Sequence, residues 1–291
     1  MTAAAMKTPA DLTITPRDRR FGRNSKQDRW WLGGDPVATA FYNALSITFP
    51  RGEAFFIESV KAFRDGTPEK LEREIRAFIQ QEVMHSREHV SFNKRVVDAG
   101  YDISMLEKKV TESLDLTKNR PQILNLCVTM ALEHYTAIMA SQMITDPRVW
   151  KNADPEQVAL WKWHAIEEIE HKGVAYDTWL HATRDWSRWK RWKVKSIMML
   201  LVSKNFWINR YKGMLELLRQ DGITGTRAKL RVLWFLFGTP GAIRRLIPAW
   251  STFFFPGFHP WNHDERHLIG LVDSEYEAAR LPQAVEPALA A

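Results

Sequence analysis

Cysteine is almost absent. Cys127 is the only one in 291 residues, which excludes an intramolecular disulfide framework and any Cys-x-x-Cys metal site, and fits a reducing compartment. The first twenty residues, MTAAAMKTPADLTITPRDRR, contain no apolar run of the secretory type. No stretch reaches about 18 consecutive apolar residues, so no membrane-spanning helix is expected. Strand signals are scarce, and no repeat recurs at a fixed period. There is no Gly-x-Ser-x-Gly elbow and no Ser-His-Asp arrangement, so any hydrolysis would have to be metal-based. No nucleic-acid-binding module is present, and no nucleic acid is expected as a partner.

What the chain does contain is apolar mass and positive charge. Hydrophobic residues make up 45% and aromatics 12%, enough for a substantial core, and the formal charge is +7. A basic balance of that size suits an anionic partner such as a membrane surface or an acidic substrate. Residues 1–29 are polar and Arg-rich and read as a flexible N-terminal arm. From Asp35-Pro36 the pattern turns helical, with Pro50 breaking a segment of about 36–48 from one of about 51–64. The turn RDGTPEK (64–70) stops one helix and restarts another, which runs over 69–98. Residues 101–121 show no single amphipathic stripe and read as a long connection. A third long helix follows Pro121 to about Ile144. A fourth opens at Asp154-Pro155 and runs to about Thr183.

These helices carry Glu53; Glu82 with His85; Glu133; and Glu168 with His171. In each Glu-x-x-His pair the carboxylate and imidazole share one helix face and can reach one ion. Spacing adds a stronger argument. In a helical hairpin, residues at one height are equidistant from the turn. The midpoint of Glu53 and Glu82 falls within Asp65–Pro68, and that of Glu133 and Glu168 within residues 145–156. Each hairpin therefore levels a lone Glu with a Glu-x-x-His pair. Four carboxylates and two imidazoles projecting inward from four helices form a carboxylate di-metal arrangement, and the long 99–120 segment supplies the crossover of a ferritin-like bundle. Hard carboxylate oxygens with imidazole suit two iron ions, with manganese as the alternative.

His164, Glu168 and His171 follow i, i+4, i+7 and share an arc of about 60° on one face. His164 is thus a candidate seventh ligand. His89, one turn after His85, could be an extra ligand, a proton relay or a group that holds a ligand from behind, and Glu167 lies at the edge of the same face. A lone histidine in such a place also reads as a hydrogen-bonded core residue. Glu170 points away and reads as solvated. His134, rotated by about 100° from Glu133, reads as structural.

The segments FIQQEVMHSREHVSFN (78–93) and WHAIEEIEHKGVAYD (163–177), with FHPW (258–261), resemble the bacterial family of predicted metal-dependent hydrolases, over roughly residues 30–270. That resemblance implies a ferritin-like helical core around a metal site. The His-x-x-x-Glu-x-x-His order of His164, Glu168 and His171 is similar to the p-aminobenzoate N-oxygenase family, which implies an oxygen-activating di-iron site rich in histidine. Farther on, Trp186, Trp189 and Trp192 alternate with Arg188, Lys190, Arg191, Lys193 and Lys195, an interfacial signature that also fits helices packed over a substrate pocket.

The expectation is an all-α protein: a ferritin-like four-helix core over about 36–183 and accessory helices over about 184–270, together one domain of residues 30–270, with a flexible tail at 271–291. The leading functional reading is a di-iron oxidoreductase that activates dioxygen against a small hydrophobic or amphiphilic substrate. A metal-dependent hydrolase is the alternative, and a non-catalytic metal- or membrane-binding protein a third. Its expected place is the cytoplasm, with peripheral association at the anionic inner face of the membrane. The sequence carries no signal for oligomeric state.

Overall fold

Asp35 accepts hydrogen bonds from the N–H groups of Val37 and Ala38, and Pro36 sits in the first turn, so α1 starts there and spans Pro36–Ser46. Pro50 falls in the first turn of the next helix, where its missing N–H costs nothing, and α2 is Phe49–Lys61. Helix α3, Glu69–Asp98, has 30 residues and is about 45 Å long. The computed structural model describes residues 7–22 and 26–280; among them it continues with α4 Ser104–Asp115, α5 Gln122–Thr145, α6 Pro155–His171, α7 Val174–Ala182, α8 Arg188–Gln220, α9 Gly225–Phe237, α10 Ile247–Thr252 and α11 Arg266–Arg280, and no extended strand. The protein is all-α.

Helices α2 and α3 pack as one hairpin and α5 and α6 as another; α2 also packs on α5, and α3 on α6, so the four enclose a common interior. Helix α8 lies against α1 and α5, and α11 lies along α6. Helix α5 is buried on nearly every side. It is long and apolar enough to cross a bilayer, but 72% of its most apolar window is inside the protein, as befits a core helix. Trp161, Trp163, Trp179 and Trp261 are the largest fully buried side chains. Each removes about 150–250 Å² from water, a gross gain of about 4–6 kcal/mol before entropy.

Three expectations are corrected. The connection after α3 is not structureless: residues 104–115 form α4, held by the burial of Leu106. The fourth long helix is broken. Helix α6 stops at His171 and α7 begins at Val174, because Lys172 turns to bond Glu265 and the backbone at Gly173 is pressed by neighbours. Both chain ends are pinned where described. The segment 7–22 is tied to α6 by backbone N–H groups of Thr15 and Arg17 that donate to Glu170 and Glu167, with Phe21 buried against Trp163. Residues 271–280 belong to α11, where Asp273 bonds Arg17 and Arg19. Residues 1–6, 23–25 and 281–291 lie outside the described residues.

A Cβ on Gly173 would lie 2.7 Å from the Thr8 hydroxyl and 2.9 Å from the Trp261 indole, whereas a Cβ on Gly52, inside α2, would meet nothing within 4 Å. Gly173→Ala should therefore cost about 1–3 kcal/mol by overpacking, while Gly52→Ala should stabilise by about 0.5–1 kcal/mol through helix propensity. Thermal unfolding of the two variants checks the opposite signs. Equal shifts would remove the close approach as the reason for the break.

Candidate metal centre

Glu53 comes from α2, Glu82 and His85 from α3, Glu133 from α5, and His164, Glu168 and His171 from α6. All seven side chains are buried. They assemble into overlapping sets. Glu53, His85 and His164 form one; Glu82, His85 and Glu168 a second; Glu82, Glu133 and His171 a third. Within each, the candidate ligand atoms lie within 4.8 Å of one another.

The two Glu-x-x-His carboxylates divide their oxygens. Glu82 Oε1 is 3.3 Å from His171 Nε2, while its Oε2 is 3.9 Å from His85 Nδ1. Glu168 Oε2 is 3.6 Å from His171 Nε2, while its Oε1 is 3.6 Å from His85 Nδ1 and 2.8 Å from His164 Nε2. Glu133 Oε2 lies 3.3 Å from His171 Nε2, on one side only. Glu53 Oε2 accepts from Ser86 Oγ at 2.7 Å, leaving Oε1 to the site. Glu82 and Glu168 thus each turn one oxygen toward His171 and the other toward His85.

Apart from the His164–Glu168 pair, the inward atoms have no hydrogen-bond partner among the described residues. Glu53 Oε1, both oxygens of Glu82 and of Glu133, Glu168 Oε2, His85 Nδ1 and His171 Nε2 are buried without a hydrogen-bond partner. An unsatisfied buried polar atom costs about 1–3 kcal/mol, more if charged, so eight in one place do not persist by accident. Four ionised carboxylates carry four negative charges, and two divalent cations would balance them. The residues therefore fit a dinuclear metal site.

Electrostatics without ions shows the same strain. Burial raises Glu53 and Glu82 well above the ordinary carboxylate range, and raises Glu133 to about 7. Burial also favours neutral imidazole and holds His85 and His89 well below the usual value. For His171, Glu133 and Glu168 overcome burial and raise it. For Glu168, burial is overcome by His171 and His164, and the group is held low.

The far nitrogen of each inward histidine is held. His85 Nε2 is 3.0 Å from Glu167 Oε2, and the Arg17 backbone N–H donates to the other oxygen of Glu167 at 2.8 Å. His171 Nδ1 donates to Gln81 Oε1 at 2.9 Å, Gln81 Nε2 donates to Glu170 at 2.7 Å, and the Arg17 guanidinium pairs with Glu170 at 3.1 Å. His164 Nδ1 and His89 Nε2 share a hydrogen bond at 2.7 Å; His89 Nδ1 meets Ser46 Oγ, which donates to Asn93. Such partners fix the tautomer and ring plane of a ligating histidine.

The sequence expectations divide accordingly. All seven candidate ligands converge. His89 has both ring nitrogens engaged away from the carboxylates, so it positions His164. Glu167 stands behind His85. His134 faces away, with Nε2 3.3 Å from the Ala249 carbonyl and its ring against Phe253 and Phe258. Glu170 is corrected. It is buried, not solvated, because Arg17, Gln81 and the Thr15 N–H all bond it. Arg17, Gln81, Ser46, Ser86 and Asn93 were missed. Gln81 and Glu170 sit directly beside Glu82 and His171, and that adjacency was the only available signal.

A family model described as "Predicted metal-dependent hydrolase" matches residues 15–264. No curated protein and no solved structure matches the chain. The resemblance drawn from the two Glu-x-x-His segments therefore holds over most of the chain. The description favours the hydrolytic alternative, and nothing in it supports activation of dioxygen.

Metal uptake must displace the protons that burial keeps on Glu133, Glu53 and Glu82, and the one that Glu133 and Glu168 keep on His171. Between the ordinary carboxylate range and about 7, Glu133 binds more protons in the folded metal-free protein than in the unfolded chain. That contribution to stability is complete at low pH and is lost as pH rises through about 7. The loaded site holds the ionised form and escapes the loss. His85 stays neutral in both forms and cancels. The rise in Tm on adding metal should therefore be larger at pH 8 than at pH 5.5, read by scanning calorimetry. An equal rise at both pH values would contradict ligation by these carboxylates.

Proposed function

The chain belongs to the family of predicted metal-dependent hydrolases, and on that footing we propose that it is a hydrolase built on a dinuclear centre in a ferritin-like bundle. One observation carries the reading: Glu82 and Glu168 each turn one oxygen toward His171 and the other toward His85, amid eight buried atoms without a hydrogen-bond partner. In this reading Glu53, His85 and His164 would hold one ion and Glu133 and His171 the other, with Glu82 and Glu168 in reach of both sets. The hard oxygen and imidazole donors suit iron, with manganese as the alternative. A dinuclear centre, when bound, supplies Lewis acidity and an activated water to a carbonyl or phosphoryl group. The chain supplies the rest. Gln81, Glu167 and His89 orient the three imidazoles. Phe49, 4.7 Å from the His164 ring, and Trp163, 5.0 Å from that of His85, keep bulk water away.

The test is turnover of a 4-nitrophenyl alkanoate by metal-loaded protein, with and without dioxygen. Hydrolysis should need metal, proceed equally under anaerobic conditions, and vanish in His171→Ala, which should also lose at least one of two bound ions. Gln81→Ala should keep the ligands yet weaken metal affinity about 10–100-fold. Turnover that requires dioxygen and a reductant would sink the hydrolase and favour the oxygenase reading. Full metal occupancy in His171→Ala would sink the ligand assignment.

A separate observation favours a peripheral membrane contact at the cytoplasmic face. Trp189, Ile197, Leu200 and Leu201 of α8 and Leu230, Leu233, Trp234 and Phe237 of α9 are exposed, and these two helices pack together. Arg188, Lys190, Lys193, Arg227 and Lys229 are exposed beside them. Lys195, counted with the basic stretch in sequence, is buried against Phe253 and drops out. Each basic residue near an anionic bilayer adds about 1 kcal/mol. The protein should therefore sediment with anionic vesicles at low salt and much less with neutral ones, and replacing Arg188, Lys190, Arg191 and Lys193 by Gln should weaken this without loss of metal. Wild-type protein that stays in the supernatant with anionic vesicles would defeat the proposal.

A further inference from the structure

A cavity of about 420 Å³ lies between α1, α2, α4, α5 and α8, within the ordinary range of small-molecule sites. Its walls are mostly apolar, with Phe49, Phe56, Met105, Leu106, Leu132 and Phe206 among them. It adjoins the metal centre. Phe49 and Phe56 stand four residues before and three after Glu53, on the same face of α2. Leu132 and Thr136, also in the wall, stand one before and three after Glu133. The Phe49 ring lies 4.6 Å from His89 and 4.7 Å from His164.

One side chain is out of place in such a wall. Arg210 of α8 lines the cavity and is only 3% exposed. Among the described residues, no carboxylate forms an ion pair with it. Its Nε has no hydrogen-bond partner. Among the described residues its one hydrogen bond runs from a terminal nitrogen to Thr48 Oγ1 at 3.4 Å, longer than the usual 2.7–3.2 Å. The Phe206 ring, 5.2 Å from Cζ, offers a face but no charge. Burial pulls the guanidinium down to about 9, and no acid opposes that pull. Two other cations show the contrast: half-buried Arg17 is paired with Glu170 and Asp273, and buried Lys172 with Glu265. A buried charge is costly unless paired. A planar fork of N–H donors facing an apolar chamber matches a carboxylate or phosphate on an apolar chain.

We infer that Arg210 is the anchor for the anionic group, carboxylate or phosphate, of an amphiphilic substrate whose apolar part fills this cavity against the walls that carry Glu53 and Glu133. The word substrate rests on the hydrolase reading; the binding site does not. Lys109 and Lys212, exposed at the same cavity, favour entry of an anion.

Calorimetric titration of the full-length, metal-loaded protein with decanoate, decyl phosphate and decanol tests it. At least one anion should bind ten-fold or more tighter than decanol, and the tighter of the two identifies the head group. Arg210→Met should weaken binding of that anion at least ten-fold, leave decanol and metal content unchanged, and raise Tm, because an unpaired buried cation is gone. Arg210→Lys, which keeps charge without the fork, should fall between. Decanol binding as tightly as both anions overturns the inference, as does Arg210→Met with unaltered anion binding or a lowered Tm. If the anion binds as described and no ester is hydrolysed, the hydrolase reading fails and the anchor stands. If neutral esters are hydrolysed equally well by wild type and Arg210→Met, and the anions do not bind, the anchor fails and the hydrolase stands.

Discussion

Four carboxylates brought together away from water is the constraint from which the rest follows. Glu53, Glu82, Glu133 and Glu168 face one small volume, and apolar helices α2 and α5 wall it in. A bundle built only for stability would place apolar side chains there. This one accepts a charge excess that its own histidines meet in part: His171 is drawn toward protonation while Glu133 is drawn toward neutrality. The metal-free centre is thus a set of compromises, each of which cations would relieve.

The surrounding polar groups make sense as consequences of that choice. An imidazole can present one nitrogen inward only if the other is satisfied elsewhere, so each inward histidine has a partner behind it. Those partners are themselves buried and must be satisfied in turn. Two of the three lines end on Arg17, which neutralises Glu170 and approaches Glu167. The third ends on the neutral pair Ser46 and Asn93. This is why the polar N-terminal segment packs on α6 although it has little apolar surface of its own.

Much of this was legible in sequence because helices make spacing into geometry. Capping residues and prolines placed α3 and α5 to within a residue, and levelling Glu53 with Glu82 and Glu133 with Glu168 singled out side chains that the fold brings together. The Lys172–Gly173 break was not legible, since it depends on Thr8 and Trp261 from the two ends of the chain. Helix α4 was missed because Leu106 is its one fully buried residue and its other apolar side chains, Met105 among them, are only half-buried along the cavity. The outer partners were hidden for a different reason. Arg17 meets Glu170 across 153 residues, and no local pattern encodes such a pairing. Glu170 looked solvated because helical phase alone shows where a side chain points, never what else has been laid over that face.

Arg17 also joins events far apart in time. Besides Glu170 it bonds Asp273 of α11, 256 residues away. During synthesis this arginine is made long before the last of its carboxylate partners, which follows 256 residues later. Until then the line of contacts behind His171 lacks its outer support from α11. Candidate ligands that all lie before residue 172 therefore wait on the synthesis of α11. Translation that halts after α6 would leave a nascent chain with every inward group made and its outermost electrostatic tie missing.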